Sequence, residues 1–82
     1  MSSDQTTNLI SFSDALAQLK DGATVARHGW NGKEMWIRLQ RPDALSIMSL
    51  PYIYMKTMDD HLVPWVASQT DLLAEDWVVI FA

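Results

Sequence analysis

Ser11-Phe12-Ser13-Asp14-Ala15-Leu16-Ala17-Gln18-Leu19-Lys20-Asp21-Gly22 is the stretch on which the fold turns. Ser11 followed three residues later by Asp14 has capping-box spacing, which opens a helix. Phe12, Ala15, Leu16 and Leu19 then fall at i, i+3, i+4 and i+7, so they share one apolar stripe. Lys20 sits in the last turn, where the helix dipole favours a cation, and Gly22 stands just past the end. A helix with one apolar face must lie on something. The pattern after Gly22 changes from helical to alternating, so that surface is a sheet.

Residues 23–28 read as a short strand, with Val25 alternating against Thr24 and Ala26. Gly29-Trp30-Asn31-Gly32 breaks it, and two glycines flanking Trp-Asn predict a turn with positive φ. From Met35 to Gln40 the apolar Met35, Ile37 and Leu39 alternate with Trp36, Arg38 and Gln40. Residues 23–40 therefore form a β-hairpin with Trp30 and Asn31 at its tip. Residues 41–50, bounded by Pro42 and Pro51, read as a loop with at most a turn of helix. Residues 52–58 are the next strand, Asp59-Asp60 a turn, and 61–63 the return strand, which Pro64 ends or places at an edge. Ser68 or Thr70 caps a short helix running through Glu75. Trp77-Val78-Val79-Ile80-Phe81 is apolar throughout and predicts a central strand, or one covered on both faces. The fold class is α+β: one N-terminal helix packed on a small, mainly antiparallel β-sheet. Residues 1–10 are expected to be a flexible N-terminal tail, and 11–82 a single domain.

Size and composition narrow the function. The chain has 82 residues, a net charge of −4, 49% hydrophobic residues and no cysteine. A domain this small buries only roughly 60–65% of its unfolded surface. Four tryptophans are many for such a chain, since each buries on the order of 200 Å² when covered. A subunit interface or a ligand is the natural home for the surplus. The acidic balance argues against DNA or RNA as partner, because phosphate neutralisation needs an excess of Lys and Arg. It leaves room for a small phosphorylated ligand. The polar first eight residues do not read as a signal peptide. The uncharged run 44–55 is too short to span a bilayer. A cytoplasmic protein without a membrane partner is the expectation.

The chemistry-bearing residues are few. His28 and His61 lack a second ligand at helical spacing, so no metal site is expected. There is no cysteine, no nucleophile elbow and no phosphate-binding loop of known pattern. No cofactor is expected and catalysis is disfavoured. Asp71 has two readings. It caps the helix opened by Ser68, or it accepts hydrogen bonds from a ligand's sugar hydroxyls or base amine. Arg27 beside the hairpin tip can hold a phosphate bidentately, although a tip flanked by solvated charges is the simpler reading. Trp77, next to an apolar run, belongs to the core. Trp36 faces away from Ile37 and Leu39 and is a candidate for a subunit contact. Trp30 on the tip and Trp65 after Pro64 are least like core residues. They are most like stacking platforms, each worth roughly 1–3 kcal/mol on a nucleobase. If they meet, they make a base clamp.

Four blocks now combine: Ser11-Phe12 through Gly22; Val25-Ala26-Arg27-x-Gly29-Trp30-Asn31-Gly32-Lys33; Met55-Lys56-Thr57; and Val63-Pro64-Trp65-x-x-Ser68-Gln69-Thr70-Asp71-x-Leu73-Ala74-Glu75-Asp76-Trp77. Together they resemble the second Thoeris anti-defence family, small proteins of phages and prophages. The resemblance implies a sponge. Such a protein binds and sequesters the cyclic ADP-ribose-type signal (glycocyclic ADP-ribose) made by bacterial TIR-domain immune proteins, without cleaving it. Some members also hold cyclic oligonucleotide signals. It further implies a homotetramer in the host cytoplasm with ligand pockets between protomers. Carried over by motif position, Trp30 and Trp65 would stack on the adenine, and Asn31, Ser68, Gln69 and Asp71 would line the pocket. Arg27 and Lys56 are assigned to phosphate contacts. Residues 41–54 depart from the family pattern by being short, which leaves ligand choice open. Two other readings stand beside this one: an enzyme that degrades the signal, and an oligomeric interaction module without a ligand.

Overall fold

The computed structural model describes residues 9–30 and 34–81. In chain order the elements are α1 (Phe12–Lys20), β1 (Thr24–Arg27), β2 (Trp36–Gln40), β3 (Tyr52–Lys56), β4 (Leu62–Pro64), α2 (Gln69–Leu73) and β5 (Trp77–Phe81). The strands make one sheet in the order β4-β3-β2-β1-β5, with every neighbouring pair antiparallel. The α+β expectation holds. The oligomeric state is a separate matter, since one chain is described.

α1 forms as its sequence predicts. The Ser11 side chain accepts the Asp14 N–H at 3.2 Å. At the other end Gly22 takes φ 97°, a conformation that favours glycine. The Gly22 N–H donates to the Leu19 carbonyl and the Ala23 N–H to the Gln18 carbonyl, which is the Schellman closure. Ala15 and Leu19 are fully buried, with Phe12 and Leu16 packed beside them. Their stripe meets Val25, Ile37 and Trp77 on one face of the sheet.

The register β2–β3 pairs Ile37 with Met55 and Leu39 with Ile53 on that helix-side face. The alternate residues Trp36, Arg38, Gln40, Tyr52, Tyr54 and Lys56 therefore share the opposite, back face. β3 and β4 are joined by a turn in which Asp60 has φ 69°, a conformation Asp tolerates better than most residues. Residues 41–51 form no helix or strand. Arg41 anchors their start by donating to the Lys20 carbonyl at 2.6 Å, a cation at the end of α1.

Three expectations need correction. β5 is an edge strand beside β1 alone, not a central one, and Val79 and Ile80 are 39% and 41% exposed. Its two-faced apolar pattern names a covered strand, but this chain has no sixth strand among its described residues to place beyond it. Gly29 does not have positive φ; a different constraint, given below, selects it. α2 stops at Leu73 with Ala74 as its cap, short of Glu75, because Ala74 already has extended backbone angles (φ −71°, ψ 150°) that cannot continue a helix. Of the expected tail, residues 1–8 lie outside the described ones. Ile10 bridges Trp77 with both backbone hydrogen bonds.

Candidate functional site

Trp77 organises the site. Its indole is fully buried between α1 and the sheet, and its ring N–H donates to the Asp71 carbonyl at 3.0 Å. That bond ties β5 to α2. Phe12 lies at 5.2 Å between ring centroids. Trp30 and Trp65 meet Trp77 edge-on at 5.4 and 6.0 Å, the T-shaped geometry that aromatic quadrupoles favour.

Arg27 is paired with Trp77 in the β1–β5 register, so its side chain emerges beside the same cluster. Its Nε donates to Asp76 Oδ1 at 2.9 Å and its Nη1 to Asp71 Oδ1 at 3.1 Å. One guanidinium thereby clamps the residue before β5 to the first turn of α2. Asp71 also completes a capping box: its Oδ2 accepts the Ser68 N–H at 3.1 Å, and the Ser68 hydroxyl oxygen accepts the Asp71 N–H at 3.0 Å. Asp76 Oδ2 accepts the Gly29 N–H at 3.0 Å. A Cβ added at Gly29 would stand 2.9 Å from that oxygen. Glycine is present because the backbone must approach a carboxylate, not because the turn needs positive φ.

The electrostatics follow from these contacts. The Asp76 hydrogen bond, opposed by burial and aided by Asp71, raises the Arg27 pKa. Partial burial pushes Asp71 up, but the Ser68 amide, the Arg27 guanidinium and the Ser68 side chain together hold it below the usual carboxylate range. Burial likewise opposes, and Arg27 with the Gly29 amide outweighs it, at Asp76. Three charges are fixed with their partners inside the chain.

The eight predicted residues are distributed unevenly. Arg27, Trp30, Trp65 and Asp71 come together around Trp77, with Ser68 at the start of the same turn. Gln69 is exposed next to Ser68. Asn31 lies outside the described residues. Trp30 and Trp65 are half-buried against the core, more embedded than their sequence context implies, and the ring each one touches is Trp77. Lys56 stands apart, on the back face. It donates to the Glu34 carbonyl at 3.0 Å and pairs with Asp60 at 3.1 Å. Trp36 meets Tyr54 edge-on at 6.1 Å on that face.

Two residues escaped the sequence reading, Asp76 and Gly29. The only available signal was that both lie within the family blocks.

Described residues form three recesses. A groove of about 210 Å³ on the back face is lined by Gln40, Met48, Tyr52, Tyr54 and Pro64, and one of about 470 Å³ continues it to Pro42 and Ile47. A third, about 470 Å³, runs along Phe12, Leu39, Ile53, Trp65 and Leu72 and includes only Trp65 of the predicted site. The back-face groove brings together the polar groups of Gln40, Tyr52 and Tyr54 but is lined by no charged residue. The Arg27–Asp71 cluster carries the polar chemistry, and none of the three recesses formed by described residues is lined by Arg27 or Asp71. Among the described residues no group of three His, Asp or Glu is placed to hold a metal ion, and no helix is long and apolar enough to cross a membrane.

Residues 10–80, from the Ile10 bridge into β5, match the model of the Thoeris anti-defense 2-like domain. The chain is also 42% identical over 84 residues to Thoeris anti-defense 2 of Bacillus phage SP01, covering 87% of this chain and 94% of that protein. An anti-defence role follows, and the family description fits an inhibitor. The matched span includes every element described above apart from the last residue of β5, and the chain belongs to the Thoeris anti-defense 2-like family.

Proposed function

We propose that this protein is a sponge for a cyclic ADP-ribose-type signal, taking it up intact and so silencing Thoeris immunity in the bacterial cytoplasm. The observation that carries the reading is the family match over residues 10–80, joined to a cluster whose geometry suits recognition. Trp30 and Trp65 are braced by the buried Trp77. Each keeps part of its ring accessible and gives up little freedom on stacking against an adenine. Rigid aromatic surfaces lose less entropy on binding than mobile ones. Ser68 and Gln69 supply hydrogen-bonding groups at the rim, and Asn31 is assigned a ligand contact on the family motif. Arg27 and Asp71 act mainly by holding that rim in place, since their strongest partners are each other and Asp76.

The pocket draws on more than one copy of the chain, in a homotetramer. Two features support this. Lys56 lies on the sheet face opposite Trp65, so a pocket that uses both takes them from different protomers. The recesses that described residues form in one chain are not lined by Arg27 or Asp71.

Titration calorimetry with glycocyclic ADP-ribose, followed by heat release and chromatography, tests the reading. Binding with the ligand recovered unchanged is expected, and Trp65→Ala weakens it about 5- to 150-fold, as the loss of roughly 1–3 kcal/mol of stacking implies. A chemically altered product would make the protein an enzyme. No heat, with Trp65→Ala disturbing only assembly, would make it an interaction module.

A further inference from the structure

The place of β5 in the sheet disagrees with its own sequence. Trp77-Val78-Val79-Ile80-Phe81 has no charge and no proline, the composition of a strand flanked on both sides. The sheet order nevertheless leaves it at an edge. The other edge is protected. β4 is three residues long and ends in Pro64, two devices that stop an edge from recruiting another strand. β5 has neither.

Among the described residues, only the first residue of β5 is closed on its outer side. The Ile10 N–H donates to the Trp77 carbonyl at 2.8 Å, and the Trp77 N–H donates to the Ile10 carbonyl at 3.1 Å. That bridge is isolated and does not continue into a ladder. Because both Trp77 groups point outward, strand alternation turns the N–H and C=O of Val79 to the same outer side. Around them Leu9, Val79 and Ile80 are 43%, 39% and 41% exposed.

We propose that the outer edge of β5 pairs with the same edge of a second copy, antiparallel about a two-fold axis at Val79, joining two sheets into one of ten strands. A second copy fits this edge for stated reasons. An antiparallel residue pair exchanges both its hydrogen bonds, so two Val79 residues facing each other satisfy each other. The contact is self-complementary, as a two-fold interface must be. β5 carries no charge, so the two copies meet without repulsion. The pairing also makes β5 the interior strand its sequence describes. It rests on the self-association proposed above and names one surface of that assembly.

The test is sedimentation velocity of the full chain over a hundredfold concentration range, with Val79→Pro and Ile80→Lys, and amide exchange at Val79. Val79→Pro removes an N–H that no strand among the described residues uses. The expected result is an assembled wild type whose Val79 amide loses protection on dilution, and folded variants of about half the assembled mass. Folded variants with unchanged mass would overturn the β5 pairing while leaving the assembly standing on another surface. A wild type that stays monomeric overturns both, whether its Val79 amide is protected at every concentration (the edge covered by its own chain) or not. If Val79→Pro fails to fold, Ile80→Lys and the exchange measurement decide.

Discussion

The two faces of the sheet use the same kinds of residue in opposite ways. On the helix side, Arg27, Asp71 and Asp76 satisfy one another and two tryptophans pack around the buried indole of a third. On the back face, Trp36, Tyr52, Tyr54 and Gln40 border an open groove, and Lys56 makes exposed ion pairs at the margin. The lesson concerns what a binding surface needs. The helix side has rigidity and fixed charge beside a wide apolar groove. The back face has a smaller groove whose polar groups, on Gln40, Tyr52 and Tyr54, carry no charge. On the proposed reading a nucleotide-sized ligand is held by the first, with another copy supplying a further wall.

If the helix-side cluster is the rigid part, its centre is the most sensitive position in the chain. Trp77→Ala removes a fully buried ring and the bond to the Asp71 carbonyl, and is expected to lower stability by about 3–5 kcal/mol. Urea unfolding measures this. A loss no greater than that of Trp36→Ala on the back face would erase the contrast between faces.

The ion-pair clamp comes next. Asp76→Asn weakens the acceptors for Arg27 Nε and for the Gly29 N–H in a part-buried setting. A loss of about 2 kcal/mol is expected, with chemical-shift changes that reach Gly29 and α2. Changes confined to Asp76 would mean that the clamp does not join the two segments.

The same carboxylates set an acid limit. Asp71 and Asp76 titrate below the ordinary value in the folded chain. Their contribution is therefore fully present above the unfolded carboxylate pKa of about 3.9 and is lost as pH falls through the folded values. Unfolding free energy should be level from neutral pH down to about 5 and drop below about 4. A shallower drop is expected in Asp76→Asn. An identical acid limb in that variant would assign the effect to other groups.

The smallest effect belongs to the back face. Lys56→Ala breaks contacts to partners that are mostly exposed and should cost less than about 1 kcal/mol. A larger loss would show that this face is held as tightly as the other.

What the sequence made legible was local. The Ser11 cap, the apolar stripe of α1, the Gly22 stop and the Ser68-to-Asp71 capping box all lie within a few residues of their partners, and each forms as its spacing says. The alternation in β2 correctly separated Trp36 from Ile37. What was not legible spans the chain. The Gly29–Asp76 contact bridges 47 positions, and nothing in either local pattern announces it. Gly29 was therefore credited with a turn conformation it does not adopt. Trp30 and Trp65 follow turn-forming residues and read as exposed, yet both lean on Trp77, which is distant from Trp30 in sequence. β5 failed differently. Its pattern describes the environment of a strand but not which chain supplies it.

The account's central claim is uptake of an intact signal, and titration calorimetry with glycocyclic ADP-ribose, followed by chromatography of the released ligand, tests it most directly. Saturable binding with unchanged ligand recovered after heat release is the predicted result. Absence of binding, or recovery of a cleaved product, would contradict it.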